Sequence, residues 1–342
     1  MRPLRSARHD KGVTAALDDL LATLDLEAIE LNIFRGFSPG GDRIRVFGGQ
    51  VAGQALVAAG RTVDALEGPP RLVHSLHAYF LRPGDPHIPI LYEVDRIRDG
   101  RSFATRRVTA IQRGEAIFSL SASFHVLEEG VSHQEPMPDV PDPETLLDWQ
   151  ARMAANSDPA KLRAANSALT AEGAAKSDPA ALRATNSALT AERAAKSDPA
   201  AERPRPIDLR PVDEPIRVHP DQAMRAPRYR VWFRANGKLP DDPLLHACVV
   251  AYASDMTLLD TTMLPHGLIW EEAGNGTQAS LDHAMWFHRP FRADDWLLYN
   301  QQSPSAFGAR GLATGTIFTR DGTLVVSVVQ EGLIRTFRQR RV

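Results

Sequence analysis

The chain has a single cysteine, Cys248, among 342 residues. One thiol excludes an intrachain disulfide and a thiolate metal cluster, so a reducing, cytoplasmic compartment is expected. Ala247, Val249 and Val250 beside it make Cys248 a small buried apolar residue rather than a nucleophile. Net charge is equally scarce, with 40 basic and 42 acidic side chains leaving −2. Phosphate neutralisation needs a clustered basic excess, so no nucleic-acid partner is expected, and the basic run 338–341 reads as a solvated tail. No apolar run approaches the roughly 18 residues that cross a bilayer. The charged start MRPLRSARHDKG has no apolar signal core behind it, and the final Arg-Arg-Val is not a Ser-Lys-Leu peroxisomal address. Neither membrane insertion nor secretion is expected. Also missing are a G-x-S-x-G elbow, an H-E-x-x-H pair and a Walker A loop. GNGTQA at 274–279 fits the loose dinucleotide fingerprint but precedes a strand-like run instead of opening a helix.

What is present is enough apolar residue, 43%, for a large core. TAALDDLLATLD at 14–25 places Leu17, Leu20, Leu21 and Leu24 at helical spacing, with Thr14 as a cap. Residues 51–59 carry no charge and predict a helix buried on nearly all sides. LVHSLHAYFL, IPILYEVDRIRD, SFATRRVTAIQ and AIFSLSASFHV then read as strands separated by turn signals. The same order returns as LLHACVVAYASDMTLL, SLDHAMWFH, DWLLYNQQSP, AFGARGLATGTIF and LVVSVVQEGLIR.

Tyr79 to Pro83 matches Trp286 to Pro290 at an offset of 207, and Phe103 with Arg106 matches Phe307 with Arg310 at an offset of 204. An internal duplication accounts for both, with the two units paired edge to edge in a continuous sheet that hides strand edges. Between them, residues 157–176 and 177–196 are tandem copies that differ at three positions. Each opens with Ser-Asp-Pro and good helix formers but has too few large apolar side chains to dock firmly. A weakly helical or mobile spacer is expected, the alternative being a partner-binding arm. The domain division is an N-terminal segment and helix at 1–30, a first unit at 31–130, a linker at 150–205 and a second unit at 206–338.

In the second unit's apolar helix stands one carboxylate, Asp255, where residues 48–59 of the first contain no acid. Burial raises a carboxyl pKa toward the range of a general base, although an Asp at a helix terminus, or one hydrogen-bonded to Thr257, would look the same in sequence. Gln330 is an amide within an apolar strand, on its solvent face or turned inward. His283 and His288, five apart on a strand, point to opposite faces and do not form a metal pair. Trp286, Phe287 and Phe291 read as core or interface packing rather than a tunnel lining.

RVFGGQVAGQAL, VHSLHAYFLRPGD, RDGRSFATRRV, AYASDMTLL with downstream LPHG, SLDHAMWFHRPFRADDWLLY and VVQEGLIR together resemble the acyl-CoA thioesterase II family. The resemblance implies an α+β double hotdog, two tandem units each with an antiparallel sheet wrapped around a long central helix. It implies hydrolysis of acyl-CoA to fatty acid and free CoA, acyl-CoA as the partner, no metal or organic cofactor, and assembly into homo-oligomers, a dimer or tetramer. Its catalytic set falls on Asp255, Ser280 and Gln330, with Ser280 standing where bacterial members often have Thr. A thiol leaves readily, its ordinary pKa being about 8.5, so one base and an oriented water suffice. Gly48, Gly49 and Gln50, at a helix start, are expected to bind the thioester oxygen, or else to serve close helix packing. One rival is a hydratase or dehydratase of the same fold, marked by an Asp followed five residues later by His, a position where this chain has Asp260. Another is a silent acyl-CoA-binding protein, for which retention of acid, hydroxyl and amide has no reason.

Overall fold

The computed structural model describes residues 14–39, 44–156, 205–215, 224–267 and 276–336. The tandem copies, the basic tail and the start of the GNGTQA run lie outside the described residues.

The Thr14 side chain accepts from the Leu17 N–H and opens α1 (Ala15–Leu24), which buries Leu17, Leu20 and Leu24. Strands β1 (Glu27–Glu30) and β2 (Ile33–Gly36) lead to α2 (Gly48–Asp64), buried continuously from Gly49 to Gly60 because no charge interrupts it. Strands β3 (Arg71–Phe80), β4 (Ile90–Asp99), β5 (Phe103–Gln112) and β6 (Glu115–Val126) follow. After α3 (Trp149–Asn156) the order repeats: β7 (Ile207–Pro211), β8 (Arg228–Ala235), α4 (Pro243–Ser254), β9 (Gly276–Ser280), β10 (Asp282–Phe287), β11 (Leu297–Phe307), β12 (Arg310–Thr319) and β13 (Leu324–Thr336). Trp149 and Ala151 of α3 are buried, so the expected linker boundary at 150 falls inside a helix that packs on β7.

Among the described residues all thirteen strands lie in one antiparallel sheet, β1-β2-β4-β5-β6-β3-β10-β13-β12-β11-β8-β7, with β9 also on β13. The units join at β3 and β10, where His77 faces Ala284, Tyr79 faces Asp282 and Ser75 faces Trp286. Under the offset of 207, Tyr79–Asp282 exchanges with Ser75–Trp286 and His77–Ala284 maps onto itself, so the junction is a local two-fold axis between His77 and Ala284. A double hotdog is the result.

The second offset, 204, is corrected by the strand pairing. Phe103 opens β5 whereas Phe307 closes β11. Arg106 faces Ala122 on β6, and the residue facing Gln330 from the matching strand β12 is Ala313. Arg106 therefore corresponds to Ala313, and an offset of 207 persists through β5. The F-x-x-R likeness spans a turn in one unit and a strand start in the other. Strands β7 and β8 carry no sequence expectation; β7 ends on a proline at the sheet edge, where a missing N–H costs nothing.

Gly53 and Cys248, then Gly60 and Leu244, meet where α2 and α4 cross, and the residue order shows the helices run antiparallel. Cys248 is fully buried in the shared core, and burial pushes its thiol pKa up. The crossing brings the N-terminus of α2 to the C-terminus of α4.

Candidate active site

α4 starts on the Asp242 cap and Pro243 and stops at Ser254, leaving Asp255 as its C-terminal cap with φ −83° and ψ −2°. There Asp255 faces the start of α2. Gly49 lies so close to the Tyr252 carbonyl that a Cβ would overlap it, and a Cβ on Gly48 would stand 2.6 Å from Asp255 Oδ2. The Gly49 N–H donates to the Asp255 carboxylate, which therefore sits at the positive end of α2. Gln330 Nε2 donates to Asp255 Oδ1 over 2.7 Å, and Ser280 Oγ donates to the same oxygen over 3.3 Å. Asp255, Ser280 and Gln330, from α4, β9 and β13, thus converge on one carboxylate.

Asp255 is partly buried, and desolvation pushes its pKa from 3.8 up to about 6 against the opposing pull of Gln330, Gly49 and Ser280. All three of those partners are neutral. Asp294, a second buried carboxyl, is paired with Arg292 and Lys238, and its pKa is lowered instead. The absence of a cation among Asp255's partners is what leaves it available as a base near neutral pH.

Of the alternatives for Asp255, the helix-end position is observed and the bond to Thr257 is not; Thr257 and Gln301 bond each other, with Gln301 Nε2 donating over 2.9 Å. Gln330 is fully buried rather than on the solvent face. Gln50 departs from its expected role. Its N–H donates to the Phe47 carbonyl over 3.1 Å, and its side chain donates to Ser38 Oγ over 2.9 Å. Those bonds hold the incoming loop. His288 is exposed and paired with Ser327 at 2.9 Å, whereas His283 is fully buried, so the two do point apart. Trp286 packs edge-on against His77, and Phe287 stacks with Phe291. Among the described residues no cluster of three or more His, Cys, Asp or Glu could hold a metal ion, and no helix is long and apolar enough to cross a membrane.

A cleft of about 1420 Å³ opens at the opposite ends of the helices, beside Asp64, His74, Asp242 and Leu244, and none of the three converging residues lines it. It occupies the position related to Asp255 by the local two-fold. Strand pairing sets Val73 and Phe124 in the place of Ser280 and Gly332, and Ala122 in the place of Gln330. The hydroxyl and the amide are therefore both replaced by apolar side chains at that end. Sequence reasoning gave His283 no part beyond the metal test, yet it lies one strand from Gln330 with its Nε2 2.9 Å from Ser254 Oγ.

The two hotdog units thus carry one acid–hydroxyl–amide cluster, where the second unit's Asp255 meets the first unit's helix α2. Residues 208–333 match the family model described as acyl-CoA thioesterase, and 38–125 match the acyl-CoA thioesterase N-terminal domain. Acyl-coenzyme A thioesterase 8 of Mus musculus is 40% identical over 338 residues, 95% of this chain and 92% of that one. Acyl-CoA thioesterase 2 of Haemophilus influenzae is 37% identical, covering 93% and 98%. The crystal structure of an acyl-CoA thioesterase II from Mycobacterium marinum superposes with a TM-score of 0.67 at 41% identity, covering 94% of this chain and 99% of that one. The chain belongs to the acyl-CoA thioesterase family.

Proposed function

We propose that this protein hydrolyses fatty acyl-CoA with a water activated by Asp255 and oriented by Ser280 and Gln330. The observation that carries this is a carboxylate with a pKa of about 6, bonded only by neutral donors, at the foot of a helix. Its ionised form predominates at neutral pH, yet it still binds a proton strongly enough to take one from an attacking water. Water oxygen bonds to the thioester carbon as its proton passes to Asp255. The carbonyl oxygen, gaining charge, accepts from the Gly48 N–H at the start of α2, the Gly49 N–H being held by Asp255, and the two glycines let it approach. The C–S bond then breaks and the CoA thiolate leaves, recovering the proton from Asp255. Acid and thiol are the products.

A cytoplasmic location is supported by the single buried cysteine. Homo-oligomeric assembly is supported by Tyr79 and Phe307, 62% and 87% exposed on the sheet. The test is free-thiol release from acyl-CoA substrates of graded chain length by the wild-type chain and by Asp255→Asn. Chain-length-dependent turnover that falls by about 100-fold or more in the variant is expected. Wild-type turnover in the variant would remove Asp255 as the base.

A further inference from the structure

We propose that His283 is a positioning residue for Gln330, the middle link of a hydrogen-bond chain from Ser254 through His283 and Gln330 to Asp255. It rests on Asp255 and Gln330 acting on the water as described above. A buried glutamine amide can sit either way round, and only one way presents a donor to a carboxylate. Gln330 Nε2 is 2.7 Å from Asp255 Oδ1, so Oε1 turns the other way. On that side is His283, close enough for the Gln330 amide to act on its imidazole. Continuing the pairing of Ala284 with Val329 by one residue sets His283 directly across from Gln330.

The tautomer follows from the acceptors. His283 Nδ1 and Gln330 Oε1 are both buried and neither makes a hydrogen bond in the structure, so each lacks the partner that the other can supply. Oε1 only accepts, so Nδ1 carries the imidazole proton and donates. Nε2 is then the acceptor, which requires the Ser254 hydroxyl, 2.9 Å away, to turn its proton to Nε2 from the Ala251 carbonyl 3.0 Å off. With the amide reversed, Oε1 would face the Asp255 carboxylate and the NH₂ group would face the Nδ1 proton; both contacts are repulsive. Burial holds the His283 pKa down at about 4, so at neutral pH the ring keeps one donor and one acceptor, which makes it directional.

The chain carries its own control. In the first unit the matching cross-strand pair is Leu76 opposite Ala122. Where the amide is absent, the histidine is absent too. A histidine needed only to fill the core would have no cause to follow the amide.

The test compares two polar replacements. In His283→Asn the amide nitrogen takes the place of Nδ1; in His283→Gln it takes the place of Nε2 and keeps only the Ser254 contact. H283Q is expected to lose about tenfold or more in kcat with KM within about twofold, and H283N to recover most of that loss. H283Q combined with Gln330→Ala should turn over no more slowly than Q330A alone, because both remove the same orientation. Equal losses in H283N and H283Q, or losses that multiply in the double variant, overturn the positioning role while leaving water activation intact. Wild-type turnover in Q330A alone removes Gln330 from the orientation of the water and overturns the role of His283 with it, whereas the base is tested separately by D255N.

Discussion

Replacing Asp255 with Asn should make the protein inactive and more stable at once. In the folded chain the carboxyl pKa rises from 3.8 to about 6 because its surroundings are desolvated and offer no cation. Ionising it at pH 7.5 therefore costs the folded state about 3 kcal/mol relative to the unfolded chain, at about 1.4 kcal/mol per tenfold change in proton affinity. The sign is that of a raised carboxyl: folding stability falls as pH climbs from 3.8 to 6 and is level above. Asn carries no such cost. Its carbonyl still accepts from Gln330 and Ser280, but its NH₂ group faces the Gly49 N–H, which returns about 1 kcal/mol. The net gain at pH 7.5 is about 2 kcal/mol, or several degrees in Tm for a chain of this size. At pH 5 the gross cost is about half, and below pH 3.8 it vanishes. Thermal melts of both proteins at pH 7.5, 5 and 3.5, with thiol-release kinetics on the same samples, measure the effect. A D255N chain less stable than wild type at pH 7.5 by a margin that does not change with pH would refute the reasoning. It would make Asp255 a structural bond acceptor instead of a desolvated base.

The acid limb of kcat/KM should show an apparent pKa of about 6 and fall about tenfold per pH unit below it; a profile flat to pH 5 would exclude this base. Gly48→Ala places a Cβ 2.6 Å from Asp255 Oδ2 and 2.8 Å from the Phe80 ring, so kcat should drop by about tenfold or more. Gly130→Ala, with nothing within 4 Å, is the control and should behave as wild type. Deleting 157–196 should leave turnover within about twofold, as measured by thiol release; loss of activity in a protein with unchanged melting would make the tandem copies functional.

Much of the architecture is local and was legible. The charge-free run around Leu56 forms a helix because nothing in it requires water, and the strands after it alternate or run apolar between turn signals. Edge-to-edge joining of the two units followed from the duplication, but which strands meet did not; once β3 and β10 pair antiparallel around a two-fold, equivalent residues must stand across from each other. The 204 offset failed for the opposite reason: Phe307 and Phe103 share neighbours in sequence but not a place in the pairing. The Asp255 carboxylate stood out as one acid in an apolar helix, and Gln330 as one amide in an apolar strand. Ser280 was visible only by resemblance, since a lone serine before a strand has no distinguishing pattern.

The sequence by itself determined the duplication, the two buried helices and the unusual chemistry of single side chains, since each depends on neighbours a few residues away or on internal likeness. Tertiary structure decided which side chains meet. The antiparallel crossing of α2 and α4 brought the Gly49 N–H to Asp255, the register of β13 aimed Gln330 at the same carboxylate, and β10 set His283 behind it. Those contacts join residues about 50 to 200 positions apart, and a hydrogen bond depends on distances of a few tenths of an ångström that no local pattern encodes.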